Sequence, residues 1–293
     1  MRRQPGINKK APFGAFFVTV LWLCAQPVMA GCSLDRQLKP VESVKIAKVL
    51  DGDTVRLSDG RRIRFVGINT PEVAHPPRPE EPVAMEAKHE LEALLRDTPI
   101  YLQVGNPAQD HYGRTLGHLF DGDGHNIIAE LLKEGAGFQV AIPPNMAYVD
   151  CYAAAQAEAR AHHLGVWGNP YFRPIPADSH RLRGGYAQVI GRVEKVALTK
   201  KFVWVDLQGD LTLKLARQDA EFLAGDTFDQ VIAASRKRTS PTDLVLEARG
   251  WVVDRNAWGG RMVQQIKAGR RKPFQMKIQY AGNWELVPSS RLQ

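Results

Sequence analysis

Residues 51–66 read Asp51-Gly52-Asp53-Thr54-Val55-Arg56-Leu57-Ser58-Asp59-Gly60-Arg61-Arg62-Ile63-Arg64-Phe65-Val66, and this stretch decides the fold class. Val55 and Leu57, then Ile63 and Phe65, alternate with polar neighbours at the period of two that sends successive side chains to opposite faces of a strand. Ser58-Asp59-Gly60 between the two runs is a hairpin turn, and Asp51-Gly52 is a turn at the end of a preceding strand. Upstream, Val44, Ile46 and Lys48 alternate with Lys45, Ala47 and Val49, so three strands follow one another in sequence.

Downstream the period changes. The proline-rich stretch Pro71–Pro82 has no apolar period and reads as a surface loop. Ala87, Leu91, Leu94 and Leu95 then form one stripe of a helix over Val83–Arg96. Short strands are expected around Tyr101–Val104 and Thr115–Phe120. Asn126 is placed to cap a helix that runs through Lys133 and stops at Gly135. A longer Ala-rich helix covers about Ala147–His163. Residues 168–185, with Pro170, Pro174 and Pro176, read as a linker.

Beyond it, strand-like runs at Ala187–Val196, Phe202–Leu207, Leu211–Ala216, Leu244–Val253 and Arg261–Ile266, with one helix over Gln218–Leu223, predict a smaller OB-like β-barrel at residues 186–288. Trp204, Trp251 and Trp258 in this part read as core or turn residues.

The 293 residues carry 39 Lys plus Arg against 31 Asp plus Glu, with 44% hydrophobic and 24% charged residues. That composition excludes a disordered, collagen-like or polytopic membrane chain. Three cysteines exclude a disulfide-dense scaffold and a multi-cysteine zinc site. The formal charge of +8 is unevenly spread: residues 1–30 contribute +4, residues 31–175 contribute −4 and residues 176–293 contribute +8. A polyanionic partner is therefore expected to meet the C-terminal part, which also holds the basic runs Arg236-Lys237-Arg238 and Arg270-Arg271-Lys272.

The N-terminus accounts for part of the charge. Arg2, Arg3, Lys9 and Lys10 precede an apolar run from Phe16 to Ala25 and the exit Val28-Met29-Ala30. Residues 1–30 thus read as a secretory signal peptide, too short in its apolar run to span a bilayer. The expected localisation is export, periplasmic or secreted. Val28-Met29-Ala30-Gly31-Cys32 also fits a lipobox loosely, extending a lipoprotein signal to residue 31 and leaving Cys32 lipidated on a membrane. The alternative for Cys32 is a disulfide with Cys151 in an oxidising exterior. The two fates exclude each other.

Three segments gather charge where a plain structural reading does not need it: Asp51-Gly52-Asp53-Thr54, Arg64 through Glu72, and Asp110-His111-Tyr112-Gly113-Arg114. Together they hold the parts of metal-assisted phosphodiester hydrolysis. Asp53, Asn69 and the Thr70 carbonyl are oxygen ligands for a hard cation. Glu72 is a carboxylate base for an attacking water. Arg64 and Arg114 are permanently charged planar donors for the charge that develops on phosphorus-bound oxygens.

In this order and spacing the segments resemble the staphylococcal nuclease (thermonuclease) family, over residues 44–167. The resemblance implies a mixed α+β fold, an OB-type five-stranded β-barrel with three helices, and a calcium-dependent endonuclease acting on DNA and RNA to leave 3′-phosphate ends. It implies Arg64, Glu72 and Arg114 as catalytic residues, Asp53, Asn69 and Thr70 as Ca2+ ligands, and Val73–Pro82 as the loop that follows the general base. Tyr112 matches a position near the nucleotide phosphate, and His111 is the histidine expected to approach substrate. Asp51 is expected near the metal without being a direct ligand.

Two positions depart from the family pattern. Asn69 stands where the family often has a second aspartate, which lowers the negative charge on the cation. The stretch Gln139-Val140-Ala141-Ile142-Pro143 carries no aromatic residue for a base to stack on. These departures set the competing readings, a catalytically impaired nucleic-acid-binding protein or an envelope-anchored interaction protein. No stable protein partner is expected, and membrane attachment only through a lipidated Cys32.

Overall fold

The computed structural model describes residues 32–34, 40–236 and 243–292. The signal segment at residues 1–30, and Lys237 and Arg238 of the first basic run, lie outside the described residues.

The first barrel is built from strands β1 (Val41–Val44), β2 (Ile46–Asp51), β3 (Thr54–Leu57), β4 (Arg62–Phe65), β5 (Ile68–Asn69), helix α1 (Ala84–Leu94), strands β6 (Ile100–Gln109) and β7 (Thr115–Phe120), helix α2 (Ile127–Lys133), strand β8 (Phe138–Gln139) and helix α3 (Val149–Ala161). Its sheet runs β1-β6-β7-β4-β3-β2. Only Lys45 separates β1 from β2, so one bent strand serves both edges and the barrel closes on itself. β4 and β7 pair in parallel, and the other pairs in this ring are antiparallel. The expected helices appear, with Asn126 Oδ1 accepting from the N–H groups of Ile128 and Ala129 at 3.0 and 3.2 Å, the bonds that cap α2.

The second barrel follows through β9 (Ile175–Pro176), β10 (Gly185–Leu198), β11 (Phe202–Leu207), β12 (Leu211–Ala216), helices α4 (Ala220–Leu223) and α5 (Asp226–Ala234), β13 (Val245–Asp254), helix α6 (Gly260–Lys267), β14 (Phe274–Ile278) and β15 (Trp284–Val287). β10 pairs with both β11 and β13, and the ring β10-β11-β12-β14-β13 closes with β12 and β14 parallel. The first barrel has the same order, with strands one to five joined 1-2-3-5-4-1 and the parallel pair between three and five. Both are OB-type barrels.

One element differs from its sequence reading. Arg261–Ile266, expected as a strand, is helix α6. Met262, Val263 and Ile266 lie three and four residues apart and share its half-buried face, the helical rather than the alternating period. The last barrel strand is Phe274–Ile278 instead. Residues 168–185 are packed rather than free: Ala177 and Leu182 are buried in the second core, and Ile175 pairs with Val189 in parallel.

The barrels meet through aromatic and ionic contacts. Phe138, on β8 of the first barrel, lies edge-on to Trp167 and Phe172 and stacks on Tyr186 of the second with ring centroids 5.3 Å apart. Arg160 on α3 reaches Glu285 at 2.6 Å and the buried Glu247 at 3.4 Å, and Arg291 holds the other Glu247 oxygen at 2.6 Å. A buried carboxylate is tolerable only when paired in this way. Cys32 is disulfide-bonded to Cys151 on α3, with Cα atoms 5.3 Å apart, so the N-terminal segment is tied to the first core. Among the described residues no helix is long and apolar enough to cross a membrane.

Candidate active site

Two close backbone approaches bring the site together. Gly52, in the β2–β3 turn, would place a Cβ 2.8 Å from Ala87 and 2.9 Å from Thr70, so only glycine lets α1 and the Thr70 segment close over the turn. Gly67 has φ +100°, and a Cβ there would lie 2.3 Å from the ring of the buried Tyr152. The chain turns at this glycine between β4 and β5, which delivers Asn69–Glu72 to the end of the barrel beside Asp53.

Asp53 is buried and fully engaged. Its Oδ2 accepts from the Thr70 N–H at 2.9 Å and lies 2.9 Å from Arg64 Nη2, while Oδ1 accepts from Thr54 Oγ1 at 2.9 Å. Arg64 Nη2 also donates to Asn69 Oδ1 at 3.2 Å, and Nη1 donates to the carbonyls of Phe65 and Ile68 at 2.8 Å each. One cationic group therefore already sits between the oxygens of Asp53 and Asn69. Asp51 accepts from the Asp53 N–H at 3.1 Å. Burial and then the neighbouring Asp53 charge push its carboxyl up to about 7.

Glu72 follows Pro71 out of the barrel end. Its N–H donates to Glu81 Oε2 at 2.9 Å, and the Glu81 N–H returns a 3.0 Å bond to the Glu72 carbonyl, which closes the base of the 73–80 loop. Glu72 is exposed at the surface, and its carboxyl is raised from its ordinary value by partial desolvation first, then by the Asp53 charge, with Arg64 opposing.

Arg114 is set by a turn. Asp110 Oδ1 accepts from the N–H groups of Tyr112 and Arg114 at 2.9 Å, and Oδ2 takes Arg114 Nε at 2.7 Å. Burial alone would raise the Asp110 carboxyl, but the Arg114 bonds outweigh it and hold the group below the usual range. The guanidinium of Arg114 stands 5.5 Å from the centre of the exposed Tyr112 ring. Arg64, His111, Tyr112 and Arg114 line one cavity of about 640 Å³.

The expected residues thus fall into two groups that share Arg64: Asp53, Asn69, Thr70 and Glu72 on one side, His111, Tyr112 and Arg114 on the other. Two arginines lining one cavity can neutralise a phosphodiester, and a carboxylate near Arg64 can deprotonate water beside it. The model of the staphylococcal nuclease homologue family matches residues 62–169. A thermonuclease of Staphylococcus intermedius is 33% identical over 129 residues, which are 43% of this chain and 76% of that protein.

The chain belongs to the staphylococcal nuclease family.

It is an endonuclease-type hydrolase of that family, and the barrel at its N-terminal side is the nuclease barrel. Endonuclease YncB of Bacillus subtilis is 27% identical over 143 residues, 47% of this chain and 67% of that protein. Endonuclease YhcR of the same organism is 31% identical over 215 residues, which are 68% of this chain and 17% of that much longer protein. A match of that length extends past the nuclease barrel.

Sequence reasoning under-read two groups. Asp110 was visible as part of its segment, but its hold on Arg114 comes from an Asx-type turn that residue identity does not reveal. Trp251, read as core or turn, is 42% exposed and lines the same cavity as Arg64 and Arg114. Separately, Asp121, Asp123 and His125 cluster in the β7–α2 turn, where Asp121 accepts from the N–H groups of Asp123 and His125; these bonds give the carboxylate a turn-closing part.

Proposed function

We propose that the chain is an exported endonuclease that hydrolyses phosphodiester bonds of DNA and RNA with a divalent cation, Ca2+ by expectation, at the centre formed by Asp53, Asn69, Thr70, Glu72, Arg64 and Arg114. The observation that carries it is the convergence on Arg64, whose Nη2 lies 2.9 Å from Asp53 and 3.2 Å from Asn69. Two of the three candidate ligands already meet at one cationic point, and all three offer hard oxygen donors, the set that suits calcium. A bound cation would supply charge neutralisation and Lewis acidity at the phosphate.

This chain's own residues do the rest. Glu72 takes the proton of the attacking water as the water oxygen bonds to phosphorus; the ester P–O bond breaks and the departing ester oxygen takes a proton from solvent. Arg64 and Arg114 hold the non-bridging oxygens, whose charge grows in the transition state. His111 and Tyr112 stand beside Arg114 on the cavity wall and contact the nucleotide. Asn69 in place of a carboxylate leaves the cation site less negative and lowers its affinity.

We assign the nuclease domain to residues 44–167 and an accessory domain to residues 186–288, joined by 168–185. Arg173, Arg181 and Arg183 line a cleft of about 300 Å³ that also includes Asn69 and Pro71. They make this face of the molecule basic beside the catalytic centre, and supply the polyanion-binding charge that the nuclease domain as a whole lacks. The Cys32–Cys151 disulfide supports an oxidising, exported setting and uses the sulfur that a lipid would need. Mass spectrometry of the mature N-terminus reads this directly, and an acylated Cys32 would overturn it.

The deciding assay is cleavage of DNA and RNA under metal titration, beside Glu72→Gln. Metal-dependent cleavage that Glu72→Gln abolishes is the expected result. No cleavage by wild type in calcium, magnesium or manganese, with salt-dependent binding retained, would leave a binding protein instead.

A further inference from the structure

We propose that Trp251 of the accessory barrel is a base-stacking platform of the nuclease site, taking the face of a nucleobase from a single-stranded polynucleotide whose phosphate lies at Arg64 and Arg114. The inference rests on the proposed phosphodiesterase reading of that site and adds a substrate-binding residue from outside the nuclease domain.

Four observations carry it. First, Trp251 lines the cavity of about 640 Å³ that Arg64, His111, Tyr112 and Arg114 also line, so the tryptophan and both arginines border one space. Second, strand alternation aims it there: Val252 is 3% exposed and points into the second core, while Trp251 is 42% exposed on the outer face of β13. A tryptophan left this open beside a basic cavity is not accounted for by core packing.

Third, the ring is anchored. Trp251 is cross-strand partner to Tyr186 and meets its ring in an edge contact, centroids 5.2 Å apart at 78°. Tyr186 in turn stacks on Phe138, which pairs with Asn69 across β5 and β8. A platform held in place before binding loses little entropy when a base settles on it. Fourth, the facing wall offers Ile142, 47% exposed, and Pro143, which give apolar surface without an aromatic face. Tyr112 lies on the Arg114 side with its ring already shared with that guanidinium and with His111. Stacking tolerates any base and suits an enzyme that takes many sequences.

The test uses the full chain carrying Glu72→Gln, so that binding is read without cleavage. Affinity for a short single-stranded oligodeoxynucleotide is measured by anisotropy at fixed ionic strength. Adding Trp251→Ala should weaken binding by about 5- to 150-fold, the range for one lost aromatic platform. Trp251→Phe should recover most of the loss, and Trp251→Leu, apolar but not aromatic, should not. An oligonucleotide of abasic residues should bind the parent and the alanine variant alike. Equal affinities for the natural oligonucleotide, or full recovery by leucine, would overturn the proposal and leave Trp251 as packing between barrels. If the alanine variant does not fold, the phenylalanine and leucine pair decides alone. Failure of the phosphodiesterase reading is separate: wild type would show no cleavage, whatever Trp251 does to binding.

Discussion

The two barrels share one strand order, and they use their polar residues in opposite ways. In the nuclease barrel the buried polar groups Asp53, Thr54 and Thr70 gather where β2 turns into β3 and where the chain leaves β5, at an end that opens outward. In the accessory barrel the buried Glu247 on β13 is paired with Arg160 and Arg291 and closes a contact with the first barrel. The buried Asp53 of the first barrel lies at the candidate site, and the buried Glu247 of the second lies at the contact between barrels. Strand order alone therefore says little about activity, which lies in the side chains carried by particular turns.

Changes in the nuclease barrel should act on turnover, and changes on the accessory face should act on substrate capture. The largest effect is expected for Glu72→Gln, which removes the proposed base but keeps its shape: kcat should fall by about 10²- to 10⁴-fold with an unaltered unfolding midpoint. Arg114→Ala should cost about 10²- to 10³-fold in kcat, as expected for one lost transition-state donor. Single-turnover cleavage reads both, and loss confined to KM would break the division.

Gly67→Ala tests how far the site depends on the fold. The added Cβ meets the Tyr152 ring at 2.3 Å in a positive-φ position, so stability should drop by about 2–4 kcal/mol in denaturant titration. An unchanged midpoint would mean that the segment carrying Asn69 to Glu72 is placed by something other than this close approach. The smallest effect is expected for the combined substitution of Arg173, Arg181 and Arg183 by Gln. KM for single-stranded DNA should rise, and the slope of log affinity against log salt should become shallower by about 2. An unchanged slope would show that the basic cleft is a solvated face.

Local signals were legible in the chain itself. The Ser58-Asp59-Gly60 hairpin, the Asn126 cap and the Gly135 stop are decided by residues within one turn of one another, and each formed as its residues require. The proposed site segment is compact for a similar reason: Arg64 to Glu72 is one short run, so its spacing in sequence nearly fixes its spacing in space. Arg261–Ile266 reads as a strand only when Met262, Val263 and Ile266 are taken as a short apolar stretch; their spacing of three and four is the helical period, and a segment this short gives it little weight.

What the sequence determined by itself is the nuclease-family barrel and the short runs that carry Asp53, Arg64 and Asn69, because those depend on short-range turns and on residue chemistry. Only the tertiary structure decided the rest. It paired Cys32 with Cys151 across 119 residues, and packed Ala177 and Leu182 of the presumed linker into a core. It also carried Trp251 from the second barrel to the wall of the first barrel's cavity. Each of these joins residues far apart in the chain, and such contacts follow from how whole barrels bury their surfaces, which no local pattern encodes.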